Sequence, residues 1–143
     1  MLEHIVIAVD GSAPSRDAAS FGLELGKQVK AKVTLLTVLP PPQVVPMGPL
    51  SGYAVMSPPI SEDDMKLVQA RLRELAAGAR GVEVHTIVEM GPIADTIVDV
   101  AGRLGADMIV MGARGLGAAG RFLLGSVSDR VVHHAHCPVT VWR

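Results

Sequence analysis

Apolar runs of five to nine residues alternate along the chain with longer stretches whose apolar residues recur every three to four positions. Such runs are typical of buried strands, and such stretches are typical of amphipathic helices. Strands that alternate with helices form parallel sheets, so the pattern predicts an α/β fold. The expected strands are 4–9, 32–39, 82–90, 107–112 and 138–142, and the expected helices are 13–30, 61–79, 91–104 and 125–135.

The first two helices carry recognisable start signals. Ser12 is a suitable N-cap for the first helix, and Pro14 fits its first turn. Ser61 and Asp64 have the spacing of a capping box at the start of the second helix. The face of the first helix that we expect to be buried consists of Ala18, Phe21, Leu25 and Val29.

The segment 40–59 interrupts the alternation of strands and helices. It holds seven of the ten prolines, together with Gly48 and Gly52. So many prolines and glycines predict a segment without regular structure. A loop of this length in a compact domain is either a functional flap or a disordered insertion, and the sequence leaves both open.

Size and composition predict one domain, residues 1–143, with a large core. A chain of 143 residues buries about 68–70% of its unfolded surface on folding. Hydrophobic residues make up 49% of the sequence, yet no run approaches the roughly 18 apolar residues of a membrane span. We therefore expect the apolar residues in the core or at an interface, and no membrane partner.

Charge and aromatic content argue against nucleic acid as a partner. Lys and Arg number 13 against 14 Asp and Glu, and only one Trp, one Tyr and two Phe could stack on bases. The start of the chain, MLEH, is not basic, and the following IVIAV is too short for the centre of a signal peptide. Cys137 is the one cysteine, which fits a reducing compartment, so we expect a cytoplasmic protein.

The stretch GARGLGAAGRFLLGS, residues 112–126, can be read as three phosphate-binding patterns. The dinucleotide fingerprint GLGAAG needs an acidic residue about twenty positions later, where this chain has Thr140. Read as a P-loop, the stretch has Arg121 and Phe122 in place of the phosphate-binding lysine and the hydroxyl residue. We therefore expect neither a Rossmann dehydrogenase nor a P-loop protein.

The third pattern in this stretch is longer and has a physical rationale. Gly112 ends a strand, where the lack of a Cβ lets a nucleotide approach the backbone. Gly115 permits a tight turn, and after nine intervening residues the chain reaches a helix start, whose amide groups bind anions. That start consists of Gly125, Ser126, Val127 and Ser128, and the arginines that add positive charge are Arg114, Arg121 and Arg130. A glycine-rich loop that only packs tightly is the alternative.

An acidic residue at the other end of the chain supports the third pattern. Asp10 follows the first strand, and doubly wound sheets bind ligands outside the strand ends where the strand order reverses. In a sheet of order 3-2-1-4-5 that reversal lies between the first and fourth strands, which brings Asp10 beside Gly112. Asp10 could then accept a hydrogen bond from an adenine amine or a ribose hydroxyl, although an ordinary turn and cap would also explain it.

The residues discussed so far resemble the universal stress protein family, in its ATP-binding subclass. The likeness is carried by IVIAVDGS (5–12), by MGARGLGAAGRFLLGSVSDRVVHHAHCPV (111–139) and by the closing strand. It covers the whole chain except the proline-rich segment. The resemblance implies a single-domain α/β fold, similar to adenine nucleotide alpha hydrolases, with a five-stranded parallel sheet of order 3-2-1-4-5 and helices on both faces. It also implies ATP binding and a homodimer formed through the last strand.

The resemblance further implies a role for each matching residue. Ala8 and Val38 would line the base, and Asp10 would meet adenine or ribose. The ribose and α-phosphate would lie along Gly112, Arg114 and Gly115, and the terminal phosphates would lie over Gly125, Ser126, Val127 and Ser128. One departure is Trp142, because the family has a small aliphatic residue at this place in the last strand. That departure puts the geometry of the dimer in question.

The last strand, 138–142, is at the edge of the expected sheet. Its sequence PVTVW is too apolar to leave exposed without a risk of aggregation. Antiparallel pairing with its copy about a two-fold axis would cover both edges. We therefore expect a homodimer through this strand.

No catalytic constellation is recognisable, and no metal site is expected. ATP hydrolysis needs a positioned base or water-orienting group, and Mg²⁺ or Mn²⁺ could arrive bound to the phosphates. Four residues near the end of the last helix are of types that bind metals, but their side chains would point in different directions. These are His133, His134, His136 and Cys137. The sequence thus favours an ATP-binding regulatory or stress-response protein with slow or no hydrolysis. An ATPase and a nucleotide-free dimeric interaction module remain the alternatives.

Overall fold

The computed structural model describes residues 1–49, 51–55, 57, 59–113 and 124–143. The strands are β1 (His4–Ala8), β2 (Lys32–Leu39), β3 (Val44–Pro46), β4 (Tyr53–Val55), β5 (Val84–Met90), β6 (Met108–Gly112) and β7 (Val139–Trp142). The helices are α1 (Ala13–Val29), α2 (Glu62–Gly78), α3 (Ile93–Arg103) and α4 (Ser126–His134). All the strands and helices expected from the sequence are present, with ends that differ by at most two residues.

Strands β5, β2, β1, β6 and β7 form one parallel sheet in that order, which confirms the predicted order 3-2-1-4-5 of the long strands. Ile7 of β1 lies between Leu35 of β2 and Val110 of β6. Helices α1 and α2 pack on one face of the sheet, and α3 and α4 pack on the other. The two faces therefore carry separate cores, as a doubly wound sheet requires.

Helix α1 approaches the sheet through glycine rather than through large side chains. A Cβ at Gly22 would lie 2.5 Å from Ile7 Cδ1, and one at Gly26 would lie 2.5 Å from Val33 Cγ2. The expectation that Val29 is buried is wrong, because 42% of this residue is exposed. Phe21 and Leu25 do pack against this core, as their spacing predicts. The closest approach of α1 to the sheet, however, is made by Gly22 and Gly26.

The expectation that segment 40–59 lacks regular structure is also wrong. Strands β3 and β4 form an antiparallel hairpin in which Val44 pairs with Val55 and Pro46 with Tyr53. Met47 N donates to the carbonyl oxygen of Gly52 at 2.9 Å. A two-stranded sheet consists only of edges, so a proline that donates no hydrogen bond is tolerated there. The number of prolines concealed this short pairing.

Helix α2 begins with the capping box that its sequence predicts. Ser61 Oγ accepts from Asp64 N at 3.1 Å, and an Asp64 carboxylate oxygen accepts from Ser61 N at 3.0 Å. Hydrogen bonds from the Ser61 hydroxyl and amide lower the pKa of Asp64. Among the described residues, no helix combines the length and the apolar character needed to cross a bilayer.

Buried polar groups tie together the amino ends of the strands. His4 is only 4% exposed, with Nδ1 3.2 Å from the Leu104 carbonyl oxygen and Nε2 2.8 Å from Thr34 Oγ1. The Asp107 carboxylate accepts from the amides of Glu3 and His4 at 2.8 and 2.9 Å. Burial lowers the pKa of His4, whereas the two accepted hydrogen bonds lower the pKa of Asp107. The neutral imidazole is therefore the form that fits this position.

Strand β7 forms one edge of the sheet, and its bulky residue packs within the chain. The Trp142 ring stacks on Phe21 of α1, with ring centroids 4.7 Å apart and an angle of 26° between the planes. Trp142 thus belongs to the core on the α1 face. This contact gives the unusual residue a role inside the protomer.

Candidate functional site

The candidate site lies where the strand order of the sheet reverses. From β1 the chain proceeds outward through β2 to β5, and it then crosses back to β6, which pairs with β1 on its other side. Asp10 follows β1 and Gly112 ends β6, so both lie at the carboxyl edge of this strand pair. This is the position at which open α/β sheets bind ligands.

Asp10 contributes to the turn that leads from β1 into α1. One carboxylate oxygen, Oδ1, accepts from Ser12 N at 2.9 Å, and the amide of Asp10 donates to Ser15 Oγ at 3.3 Å. Gly11 between them has φ +84°, which a side chain would strain. Ser12 Oγ in turn accepts from Ser15 N at 3.3 Å and caps the helix. The exposed carboxylate of Asp10 is therefore held in a fixed orientation at the end of β1.

Three of the predicted site residues share one apolar cluster. Ala8 at the end of β1, Val38 in β2 and Val127 in α4 are half-buried and pack against the core on the α3 and α4 face. Their side chains therefore lie on one side of the sheet, where two come from neighbouring strands and one from a helix start. Such a surface could contact the apolar face of a base.

Gly112 has a structural reason for lacking a side chain. A Cβ there would lie 2.9 Å from the carbonyl carbon of Pro14 and 3.0 Å from Ser15 N. The direction of its missing side chain thus leads to the first turn of α1. Close packing of backbone against backbone accounts for this glycine, whereas the sequence had suggested space for a nucleotide.

The start of α4 is held against the end of β6. The Gly125 amide donates to the carbonyl oxygen of Ala113 at 2.7 Å, and Ser128 Oγ donates to the same oxygen at 2.8 Å. Ser128 Oγ also lies 3.0 Å from the Gly125 carbonyl oxygen. Ser126 is exposed on the outer side of this turn, and Val127 is half-buried.

No side chain caps the N-terminus of α4 within the part of the chain that the structure describes. The N-cap residue is Gly125, and the first intrahelical bond runs from Asp129 N to its carbonyl oxygen at 2.9 Å. The amide groups of the first helical turn point along the axis and carry the positive end of the helix dipole. This arrangement can bind an anion.

The structure accounts for one of the three arginines expected to add positive charge. Arg130 Nε and Nη2 donate to the two carboxylate oxygens of Asp95 at 2.8 and 3.0 Å, which joins α4 to α3. Its charge is thus already paired. Arg114 and Arg121, like Gly115, lie outside the described residues.

The histidines near the end of α4 bind their own helix. His133 Nδ1 lies 2.8 Å from the carbonyl oxygen of Asp129, and His134 Nδ1 lies 2.9 Å from that of Arg130. Cys137 is half-buried, and burial raises the pKa of its thiol. Across residues 1–113 and 124–143, apart from three residues of the hairpin region, no group of three or more His, Cys, Asp or Glu side chains could hold a metal ion.

Two residues near the site were missed from the sequence. Ser15 is buried and fixes the Asp10 amide, and its position three residues after the cap Ser12 was a usable signal. The second residue is Asp95 in α3, which pairs with Arg130 of α4. No local signal reveals its pairing with Arg130, because the two residues are 35 positions apart.

The comparisons with known proteins agree on one family. The family model "Universal stress protein family" matches residues 1–143. The universal stress protein MJ0531 of Methanocaldococcus jannaschii is 33% identical over 141 residues, which cover 99% of this chain and 82% of that protein.

Two solved structures have the same fold as this chain. The universal stress protein UspA from Lactobacillus plantarum superposes with a TM-score of 0.74 at 25% identity, over 99% of this chain and 98% of that one. The universal stress protein from Archaeoglobus fulgidus in complex with dAMP gives a TM-score of 0.73 at 23% identity over the full length of both chains.

Proposed function

Because the chain belongs to the universal stress protein family, we propose that it is a cytoplasmic ATP-binding protein with a regulatory role in a stress response. It hydrolyses ATP slowly or not at all. The observation that carries the proposal is the N-terminus of α4, which no side chain of the described residues caps and which follows the strand next to β1 and Asp10. An anion-binding helix start and a fixed carboxylate at one sheet edge suit a nucleotide, which needs both.

Each part of the nucleotide then has a place. The base contacts Ala8 and Val38, and Asp10 accepts a hydrogen bond from the adenine amine or the ribose. The ribose and α-phosphate lie along Gly112, Arg114 and Gly115, and the terminal phosphates lie over Gly125, Ser126, Val127 and Ser128. The dAMP bound by the Archaeoglobus fulgidus relative supports adenine as the base.

Slow turnover follows from the groups at the site. Efficient hydrolysis needs a group that orients or deprotonates the attacking water. Two of the described carboxylates near the site already have structural roles, because Asp10 Oδ1 accepts from Ser12 N and Asp95 pairs with Arg130. Mg²⁺ or Mn²⁺ would be carried mainly by the phosphates.

The protein is proposed to act as a homodimer through β7. This strand forms an edge of the sheet, and its four residues are each half-buried in the protomer. Antiparallel pairing with a second copy would satisfy the open backbone groups. Stacking of Trp142 on Phe21 leaves that backbone edge available. Sedimentation at micromolar concentration should give a dimer, and a monomer would contradict this part of the proposal.

Thermal and calorimetric titration with ATP tests nucleotide binding. ATP at 100 times its dissociation constant should stabilise the fold by about 2.7 kcal/mol. Ser126→Ala should weaken ATP binding because an exposed hydroxyl at the phosphates is lost, whereas Ser20→Ala, an exposed serine within α1, should not. AMP and a cyclic adenine nucleotide, titrated in parallel, measure how much the terminal phosphates contribute.

The alternatives give different results in the same experiments. A nucleotide-free interaction module would show no stabilisation by any of the three nucleotides, and that result would refute the proposal. An ATPase would release phosphate in the presence of Mg²⁺ or Mn²⁺ at many turnovers per hour, whereas we expect release no faster than the slow loss of bound ATP.

A further inference from the structure

The Ser128 hydroxyl is committed to the protein itself. Ser128 is 2% exposed, and its Oγ donates toward two carbonyl oxygens, at 2.8 Å to Ala113 and 3.0 Å to Gly125. A hydroxyl has one proton to donate. With that proton shared between two carbonyls and the side chain buried, the hydroxyl is not available to a phosphate. Of the two donors of Ser128, only the backbone N–H can therefore donate a hydrogen bond to a phosphate.

The Ala113 carbonyl receives both contacts that fix the start of α4. It accepts from the Gly125 amide at 2.7 Å and from Ser128 Oγ at 2.8 Å, which uses both lone pairs of the oxygen. The Ala113 amide donates to the carbonyl oxygen of Trp142 at 2.7 Å. The backbone of one residue, Ala113, therefore connects β6, the edge strand β7 and the first turn of α4.

We propose that Ser128 is a positioning residue, whose hydroxyl links Ala113 after β6 to Gly125 at the start of α4 and holds the amide groups of α4 at the carboxyl edge of β1 and β6. The inference deepens the proposed function and rests on it for the ligand. It assigns the phosphates to the amides and to Ser126, and it removes the Ser128 hydroxyl from direct contact with them. A helix start fixed in advance loses less entropy on binding, so the contact between Ser128 and Ala113 raises affinity without touching the ligand.

Amide hydrogen exchange in the nucleotide-free protein tests the position of Ser128 directly. Ser128→Ala should raise the exchange rate of the Gly125 amide about tenfold or more, because the shared acceptor loses one of its two donors and the turn opens. Ser15→Ala is the matched control, since Ser15 is also buried and also occupies the third position of its helix. It should leave exchange at Gly125 unchanged.

Affinity measurements separate a positioning role from a purely structural one. Ser128→Ala should weaken ATP about tenfold and leave adenosine binding nearly unchanged, and Ser128→Thr, which keeps the hydroxyl, should restore ATP binding. Loss of stability with unchanged ATP affinity would overturn the proposal. Weaker ATP binding with unchanged Gly125 exchange would overturn it as well, because the hydroxyl would then be a ligand contact.

The proposed function and the positioning role of Ser128 can be refuted separately. If the parent protein does not bind a nucleotide, the proposed function is refuted. The hydrogen exchange of the Gly125 amide then still shows whether Ser128 holds the turn. Should Ser128→Ala not fold, Ser128→Cys replaces the hydroxyl by a weaker donor of similar size. The exchange rate of the Gly125 amide should then increase from the parent to Ser128→Thr and further to Ser128→Cys. Equal rates in the three proteins would contradict the inference.

Discussion

The junction between β1 and α1 and the junction between β6 and α4 share one plan. Each helix has a buried serine at its third position, Ser15 in α1 and Ser128 in α4. Each serine hydroxyl donates to the carbonyl oxygen of its N-cap residue, at 3.1 and 3.0 Å respectively. Each also binds the backbone just after the preceding strand, at Asp10 N and at Ala113 O.

The two junctions differ in how the helix start is completed. In α1 the Ser12 hydroxyl accepts from Ser15 N and caps the helix, whereas α4 has Gly125 as its N-cap and no side-chain cap among the described residues. Ser12 is buried, while Ser126 at the start of α4 is exposed. Within the described residues, the start of α1 is therefore capped by a side chain of its own junction, whereas the start of α4 keeps the uncapped amides that the proposed phosphate site would use.

The largest expected effect comes from the glycine at which the two junctions touch. Gly112→Ala places a Cβ about 3 Å from backbone atoms of Pro14 and Ser15, which cannot rotate away as a side chain could. We expect a loss of about 3 kcal/mol in the free energy of unfolding, measured by urea denaturation. ATP affinity should fall as well, because α1 and the end of β6 are forced apart.

Gly102→Ala in α3 is the matched control for this change. Its Cβ would meet only His136 Cδ2 at 3.6 Å, an ordinary contact. Replacing a helical glycine by alanine should then stabilise the protein by about 0.5–1 kcal/mol. Equal effects of the two substitutions would show that contact between the junctions does not constrain the fold.

The next effect concerns the amino ends of the same strands, where we expect acid to lower the stability of the protein. Burial lowers the pKa of His4, so the folded state binds fewer protons than the unfolded state. Stability from the neutral imidazole is then complete above the ordinary histidine pKa of about 6.5 and falls as the pH drops below it, by at most about 1.4 kcal/mol per pH unit. The groups that face His4 are Lys32, His85 and Asp107, of which only Asp107 favours its charged form.

Urea denaturation of His4→Gln between pH 8 and pH 5 measures this term. At pH 8 the variant should be less stable by about 2 kcal/mol, because a buried pair of hydrogen bonds is lost, and its stability should vary less with pH than that of the parent. Parallel pH profiles of the two proteins would assign the acid sensitivity to other groups. ATP affinity should respond little, since the site is at the other edge.

The difference in capping itself is tested by giving α4 the cap that α1 has. Gly125 has φ −75° and ψ 162°, an extended conformation that any residue can adopt. Gly125→Asp should stabilise the ligand-free protein slightly and weaken ATP about tenfold or more, because a carboxylate then occupies the amides and repels phosphate.

The reciprocal substitution at the other junction is the control. Ser12→Ala removes the cap of α1 and should cost about 1 kcal/mol of stability with little change in ATP affinity once the protein is folded. If Gly125→Asp binds ATP as well as the parent does, the α4 start is not the phosphate site.

The contrast between the junctions could be predicted only in part from the sequence. The apolar periods indicated the five long strands, and Ser12 and Asp64 marked helix starts, because these signals are local. The order of the strands was implied by the resemblance to the family. The pairing within 44–55 was hidden, since a hairpin of edges tolerates Pro46. The hydrogen bond from the Ser128 hydroxyl to the Ala113 carbonyl oxygen could not be predicted, because the two residues are 15 positions apart and no local pattern connects them.

Gly112 shows a second limit of the sequence analysis. A glycine after a strand indicates close approach of some atom, but the sequence does not say which, and here it is the backbone at Pro14. The roles of Arg114 and Gly115 stay predictions, since both lie outside the described residues. The position of the nucleotide site at this sheet edge stays a prediction as well, whereas the contacts of Gly112 and Ser128 could be assigned only from distances.

The smallest expected effect concerns the ion pair between Asp95 of α3 and Arg130 of α4. Asp95 binds Arg130 with two hydrogen bonds, but both side chains are about half exposed. Exposed pairs contribute little, so Asp95→Asn should cost about 0.5 kcal/mol of stability, less at high salt. The variant releases the Arg130 charge one helical turn from Ser126, and ATP should bind slightly tighter at low salt.

The matched control is Asp99→Asn, which breaks the pair with Arg103 in α3 instead. It should change stability by a similar amount without affecting ATP binding. If the two variants bind ATP equally, the charge of Arg130 does not contribute to ATP binding, and its pair with Asp95 acts only in joining α4 to α3.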